Sequence, residues 1–199
     1  MTSSPTPARA TTTKGRARRE QIIESATELF YERGFRATGI DDIGEAAGIT
    51  GPGIYRHFAS KDDILIAVLD RLWRRLEATI GAANLLDASR GLELLVSVHI
   101  DLVVDRRTDV ALLLDELPNL PEEYRSKARA NAETYRSAWA SRIRLLHEEF
   151  SKSEADAVAR SLMGLVTAHD ADRSGMMINP DRAKDLLGTM VRGALAGVV

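Results

Sequence analysis

Three groupings of side chains in this sequence could do chemistry. Two are imidazole–carboxylate clusters, His99 with Asp101 and Asp105, and His169 with Asp170 and Asp172. Neither holds the two histidines four residues apart that would put a pair of metal ligands on one helix face. Such groupings are usually solvated surface. The third is the stretch from Thr38 to Lys61, TGIDDIGEAAGITGPGIYRHFASK, which gathers hydroxyls, a phenol, an imidazole and cations among short apolar patterns. Its chemistry is hydrogen bonding and charge pairing with an anion rather than bond making. The chain has no cysteine, which excludes disulfides, thiolate metal sites and a cysteine nucleophile. It has no glycine-rich phosphate loop after a strand and no G-x-S-x-G elbow. No enzyme activity, no cofactor and no metal are expected.

The charge is distributed to match. The 199 residues carry a formal net charge of −2. Residues 1–61 hold nine Lys/Arg against seven Asp/Glu, and the rest hold eighteen against twenty-two. Arg9, Lys14, Arg16, Arg18 and Arg19 all precede the first acid, Glu20. A basic end on an acidic body suits a protein that touches phosphates with one end, although a solubilising tail would look the same. No run approaches the roughly 18 apolar residues of a membrane span. Residues 1–13 lack the apolar core of a signal peptide, and the absence of cysteine fits a reducing cytoplasm.

The elements that must position these residues read as helix throughout, so the fold class is all-α. Ile22, Ile23, Ala26, Leu29 and Phe30 share one face of a helix over 16–33, which Gly34 ends as a left-handed cap. A short helix over 40–47 follows, capped by Thr38. Gly48 then turns the chain, Ile49 plugs the core, and Thr50 caps a third helix reaching about His57. Ser60, with an acid three residues on at Asp63, starts a long fourth helix. Further helices are expected over 89–105, 109–116, 121–149, 153–170 and 180–197, with Pro118, Pro121, Gly175 and Pro180 as punctuation. Two short helices about a Gly-Ile-Thr turn meet the needs of a helix-turn-helix, though glycine alone would equally allow a plain helical hairpin.

The flanking residues narrow this. Glu32-Arg33-Gly34-Phe35, Ala37-Thr38, Asp42-Ile43, Ala46-Ala47-Gly48-Ile49, Ile54-Tyr55-Arg56-His57-Phe58 and Ser60-Lys61-Asp62-Asp63-Ile64-Leu65 together strongly resemble the TetR family of bacterial repressors. The resemblance covers about a quarter of the chain. It implies a basic arm over 1–15, a DNA-binding head over 16–62, and a ligand-binding and dimerisation body over 63–199. It also implies phosphate contacts from Tyr55, His57 and Lys61, although Tyr55 could serve packing instead. Thr38 and Thr50, at helix N-termini, can cap and bond phosphate. The tip departs from the usual pattern. Gly51, Pro52 and Gly53 offer no bidentate base contact, and Asp41 could accept from a cytosine or repel a phosphate. Base reading is therefore expected to lean on Arg36, Asp41, arm arginines 16, 18 and 19 in a minor groove, and DNA shape.

For the body, Leu162, Met163, Val166, Leu187, Met190 and Ala194 form apolar seams on the last two helices. Each seam suits a twofold partner or the chain's own core. Leu95, Ile100, Val103, Leu113, Leu117, Tyr135 and Trp139 are the candidates to line an effector pocket, or else an ordinary core. Residues 115–124 (DELPNLPEEY) resemble a pattern in family members that control lipid or acyl-coenzyme A metabolism. The expected function is a homodimeric regulator, a repressor of a palindromic double-stranded DNA operator. A small hydrophobic or acyl-coenzyme A-like effector would release it. The rival is an architectural DNA-binding protein indifferent to small molecules.

Overall fold

A computed structural model describes residues 13–105, 107–168 and 179–197, and every regular element among them is helical. Arg9, the His169–Asp172 cluster, Gly175 and Val198 lie outside the described residues. The chain divides into two compact units, Met1–Val68 and Leu69–Val199.

The first unit contains α1 (Thr13–Arg33), α2 (Ile40–Ala46), α3 (Gly51–Ile54) and the opening turns of α4 (Lys61–Ala83). Helix α1 begins three residues before the predicted start, so Lys14 and Gly15 of the stretch read as an arm are helical. The run of Lys and Arg there is itself helix-forming, and no proline intervenes. Ile22, Ile23, Ala26, Leu29 and Phe30 form the buried face as predicted. Gly34 ends the helix at φ +86°, a conformation costly for any residue with a Cβ. The Phe35 ring turns back edge-on to Phe30 at 5.0 Å. Ser60 caps α4, its Oγ accepting from the Asp63 amide at 3.0 Å.

Two expectations in this unit need correction. Helix α2 is capped from Gly39, not Thr38: the Asp42 carboxylate accepts from the Gly39 amide at 2.7 Å. Thr38 is buried, with its hydroxyl 2.9 Å from the Gly34 carbonyl and 3.2 Å from the Leu29 carbonyl. An acid at the third helical position beats threonine because the carboxylate bond is charge-assisted. Helix α3 stops at Ile54, and Tyr55–His57 continue as turns.

The second unit holds the rest of α4, then α5 (Ala88–Asp105), α6 (Arg107–Glu116), a 3-10 turn over Leu117–Asn119, α7 (Glu122–Leu146), α8 (Lys152–Thr167) and α9 (Pro180–Ala196). Helix α5 is central and packs against α6, α7, α8 and α9. That position explains why Leu92, Leu95, Val96, Ile100, Leu102, Val103 and Val104 are all buried, more than a one-sided stripe would need. Lys184 of α9 ties to Asp101 and Asp105 of α5 at 3.0 and 2.6 Å. Those two carboxylates are therefore committed to a cation of the fold. Helices α8 and α9 are capped by Ser151 and Asn179 side chains.

The six seam residues do not share one face. Leu162, Val166 and Leu187 are buried inside the unit itself, whereas Met190 is 52% exposed and Ala194 half-buried. Met163 is half-buried as well. Each helix carries apolar residues on two faces, and spacing alone does not say which faces the chain's own core. Among the described residues, no helix is long and apolar enough to cross a membrane.

Candidate nucleic-acid interface and body cavity

The turn between α2 and α3 is built on close backbone approach. Gly48 adopts φ +65°, and the Ile49 amide donates to the Gly44 carbonyl at 2.8 Å. A Cβ on Gly44 would stand 2.9 Å from the Ile49 carbonyl oxygen and 3.2 Å from the Gly51 nitrogen. Gly44 is thus what lets α2 lie directly against the turn. It escaped the sequence reading, although an isolated glycine inside a helix is a signal for such packing. Ile43, Ala47, Ile54 and Phe58 are buried beneath the turn and hold the two helices together.

The outer surface presents a consistent set of groups. Arg36, Asp41, Thr50, Pro52, Tyr55 and Arg56 are exposed, and His57 is half-exposed. Tyr55 is 58% exposed, which leaves it out of the core. Thr50 occupies the N-cap position of α3 with no side-chain bond to the helix, so its hydroxyl remains available. Gly51 is buried under Asp41: a Cβ there would collide with the carboxylate oxygen. The carboxylate thus sits over the first residue of α3 and takes up space that a side chain at 51 would need. Arg56 was not among the residues singled out from the sequence, and its exposure beside Tyr55 puts it on the same surface.

Three cations expected at this surface also bond within the unit. Lys61 Nζ donates to the Phe35 and Thr38 carbonyls at 2.8 Å each and sits 4.5 Å from the Phe35 ring centroid. Arg18 donates to the Ala47 carbonyl at 3.1 Å and to the Gln21 side chain at 2.8 Å. The Arg19 guanidinium stacks over Phe58 at 4.4 Å. Of the arm arginines named for a minor groove, Arg16 is the exposed one.

The second unit contains an apolar cavity of about 170 Å³. It is lined by Val103, Leu113 and Tyr135 from the candidate set, with Leu72, Leu76 and Leu102 around them. Met163, expected at a subunit seam, lines it too. Leu95, Ile100 and Trp139 are buried core residues that do not line it, and neither does Leu117 in the 3-10 turn. His99 does line it, within 5.9 Å of the Tyr135 ring and 5.7 Å of the Trp139 ring. Burial lowers its pKa from 6.5 to about 4, offset in part by a bond to the Met163 carbonyl. His99 lies on the Leu95–Val103 stripe of α5, a placement that could have separated it from a surface cluster with Asp101 and Asp105.

Comparison with known proteins agrees with this geometry. Residues 22–68 match the signature of the bacterial regulatory proteins, tetR family. The HTH-type transcriptional repressor KstR2 of Rhodococcus jostii is 35% identical over 141 residues, which is 67% of this chain and 68% of that one. The chain belongs to the TetR family. It is accordingly a DNA-binding transcriptional regulator and not an enzyme. Solved TetR-family structures share its fold. The ketosteroid transcriptional regulator KstR2 of Mycobacterium tuberculosis superposes with a TM-score of 0.75 at 23% identity, covering 90% of this chain and 94% of that one. AibR, solved in complex with isovaleryl coenzyme A and operator DNA, superposes with a TM-score of 0.73 at 20% identity, covering 87% and 97%.

Proposed function

We propose that this TetR-family regulator acts as a homodimeric repressor of a palindromic operator, and that a small apolar effector held in the second unit releases it. The observation that carries the proposal is the pairing of two features in one chain. One is the exposed group Arg36, Thr50, Pro52, Tyr55 and Arg56 about a helix-turn-helix. The other is an apolar cavity in the helical unit that follows. Helix α4 belongs to both units, so a strain in one can reach the other through a continuous element. An effector shifts DNA binding only if it prefers the DNA-incompetent state. The repressor reading is supported by the name of the Rhodococcus relative.

Dimerisation is supported by the outward apolar residues of α8 and α9. Met190 and Leu186 are 52% and 37% exposed, beside half-buried Leu165 and Ala194. Two heads reading one operator would place their third helices roughly 34–36 Å apart, one turn of DNA.

Genome-wide mapping of bound DNA, followed by footprinting, tests this. A palindrome with half-sites one turn apart, protected by the dimer and released by a compound acting on the neighbouring genes' pathway, is expected. Binding indifferent to sequence and to every small molecule would favour an architectural role instead.

A further inference from the structure

The 170 Å³ cavity shares Trp73, Leu76 and Tyr135 with a neighbouring hollow of about 240 Å³, whose other walls include Glu77, Asn131 and Thr134. An apolar chamber thus adjoins a more polar one. An engineered apolar cavity of roughly 150 Å³ accepts benzene, so the apolar chamber has room for one ring or a short branched chain.

In the apolar chamber the buried Trp73 Nε1–H has no partner among the described residues, while the other polar atoms are mostly bonded. The Tyr135 hydroxyl donates to the Leu95 carbonyl at 3.4 Å, and the Thr167 hydroxyl to the Met163 carbonyl at 2.9 Å. His99 Nε2 lies 3.4 Å from that same Met163 carbonyl and 3.5 Å from the Thr167 hydroxyl. A carbonyl can only accept, so Nε2 carries the proton and Nδ1 keeps its lone pair. No bond to Nδ1 is present among the described residues. The ring is neutral at physiological pH because burial disfavours its charged form. No Lys or Arg is among the described residues lining either chamber, and Glu77 lines the more polar one.

Building on the effector reading above, we propose that the second unit selects a small uncharged ligand: a ring-sized apolar body bearing one hydrogen-bond donor, a phenol or alcohol, that docks on His99 Nδ1. A carboxylate would enter a chamber with no cation to receive it and a glutamate at its neighbour. An acyl-coenzyme A thioester has a carbonyl that accepts but no hydrogen-bond donor at its acyl end to offer His99 Nδ1.

Calorimetry and thermal unfolding of the full chain without DNA test this with four probes: 4-methylphenol, toluene, benzoate and butyryl-coenzyme A. The hydroxyl bond should make 4-methylphenol bind on the order of tenfold tighter than toluene. Benzoate and butyryl-coenzyme A should leave the midpoint unmoved. His99→Phe should erase the preference for 4-methylphenol while keeping toluene binding, and His99→Gln, whose amide oxygen accepts, should restore part of it. Equal binding of 4-methylphenol and toluene would overturn the proposal. So would tighter binding of benzoate or butyryl-coenzyme A, or no binding of either neutral probe. If His99→Phe does not fold, the four probes on the natural chain and on His99→Gln still decide. Because the readout omits DNA, a negative result here leaves operator binding and its release by some other effector standing.

Discussion

The Lys61 ammonium donates to the Thr38 carbonyl at 2.8 Å, closing the loop between α1 and α2 onto the start of α4. The same nitrogen reaches the Phe35 carbonyl and lies against the Phe35 ring. A residue whose motif implies a phosphate contact thus also caps backbone oxygens of the loop between α1 and α2. Arg18 does the same for Ala47 at the end of α2. The basic residues of this unit divide into those that hold it together and those that face outward.

That division gives the first prediction. Lys61→Met should lower the unfolding midpoint of the full chain, with a loss of about 1–3 kcal/mol for the stranded carbonyls. Arg36→Ala and Arg56→Ala should leave stability within about 0.5 kcal/mol. They should weaken binding evenly across operator variants and flatten the salt dependence by about one ion each. Denaturant titration and binding at several salt concentrations separate the two classes. A Lys61→Met protein of natural stability with a reduced salt slope would return Lys61 to the phosphate surface.

Two glycines of the turn should respond differently to the same change. At Gly44→Ala the new methyl meets the Ile49 carbonyl, which is backbone and cannot step aside. Loss of about 1–3 kcal/mol and of operator binding is expected from such overpacking. At Gly51→Ala the obstacle is the Asp41 carboxylate, which can swing away. Stability should hold while base preference shifts, read by binding to single-base operator variants. Equal destabilisation of the two variants would mean that Asp41 is fixed in place.

How far the sequence revealed this molecule follows from the same residues. The helices and the turn were legible because apolar periodicity, Gly34, Gly48 and Ser60 each act locally. The competition between Thr38 and Gly39 for the cap was not, because Asp42 wins it by a charge-assisted bond and Thr38 finds a better partner across the loop. The fates of Lys61, Arg18 and Arg19 depend on residues 20 to 40 positions away. His99 was read with its chain neighbours Asp101 and Asp105, yet those face Lys184 while His99 faces the cavity.

Under the dimer proposed above, the exposed apolar residues of α9 mark the face expected to meet a second copy. Met190→Asp with Leu186→Asp places two charges on outward positions and should give a folded monomer with weakened operator binding. Leu187→Asp places one charge in the buried core and should unfold the chain, because an unpaired buried carboxylate is far costlier than an exposed one. Sedimentation velocity alongside circular dichroism reads both outcomes. A Met190→Asp, Leu186→Asp protein that remains a dimer would move the subunit contact elsewhere.

His99 should make stability depend on pH in a defined window. Its pKa falls from 6.5 to about 4 on folding, by burial. Between those values the unfolded chain binds a proton that the folded chain refuses. Stability from this group is therefore complete above about pH 6.5, declines as the pH falls, and levels off below about pH 4. At 1.36 kcal/mol per pH unit the whole effect is at most roughly 3–4 kcal/mol. Carboxylates elsewhere add their own slope, so the quantity to measure is the difference between the natural chain and His99→Gln in urea midpoints from pH 7.5 to 4. The gap between the two curves should change in favour of His99→Gln as the pH drops. Parallel curves would mean that the imidazole titrates equally in the folded and unfolded chain, and so is not held neutral against the cavity.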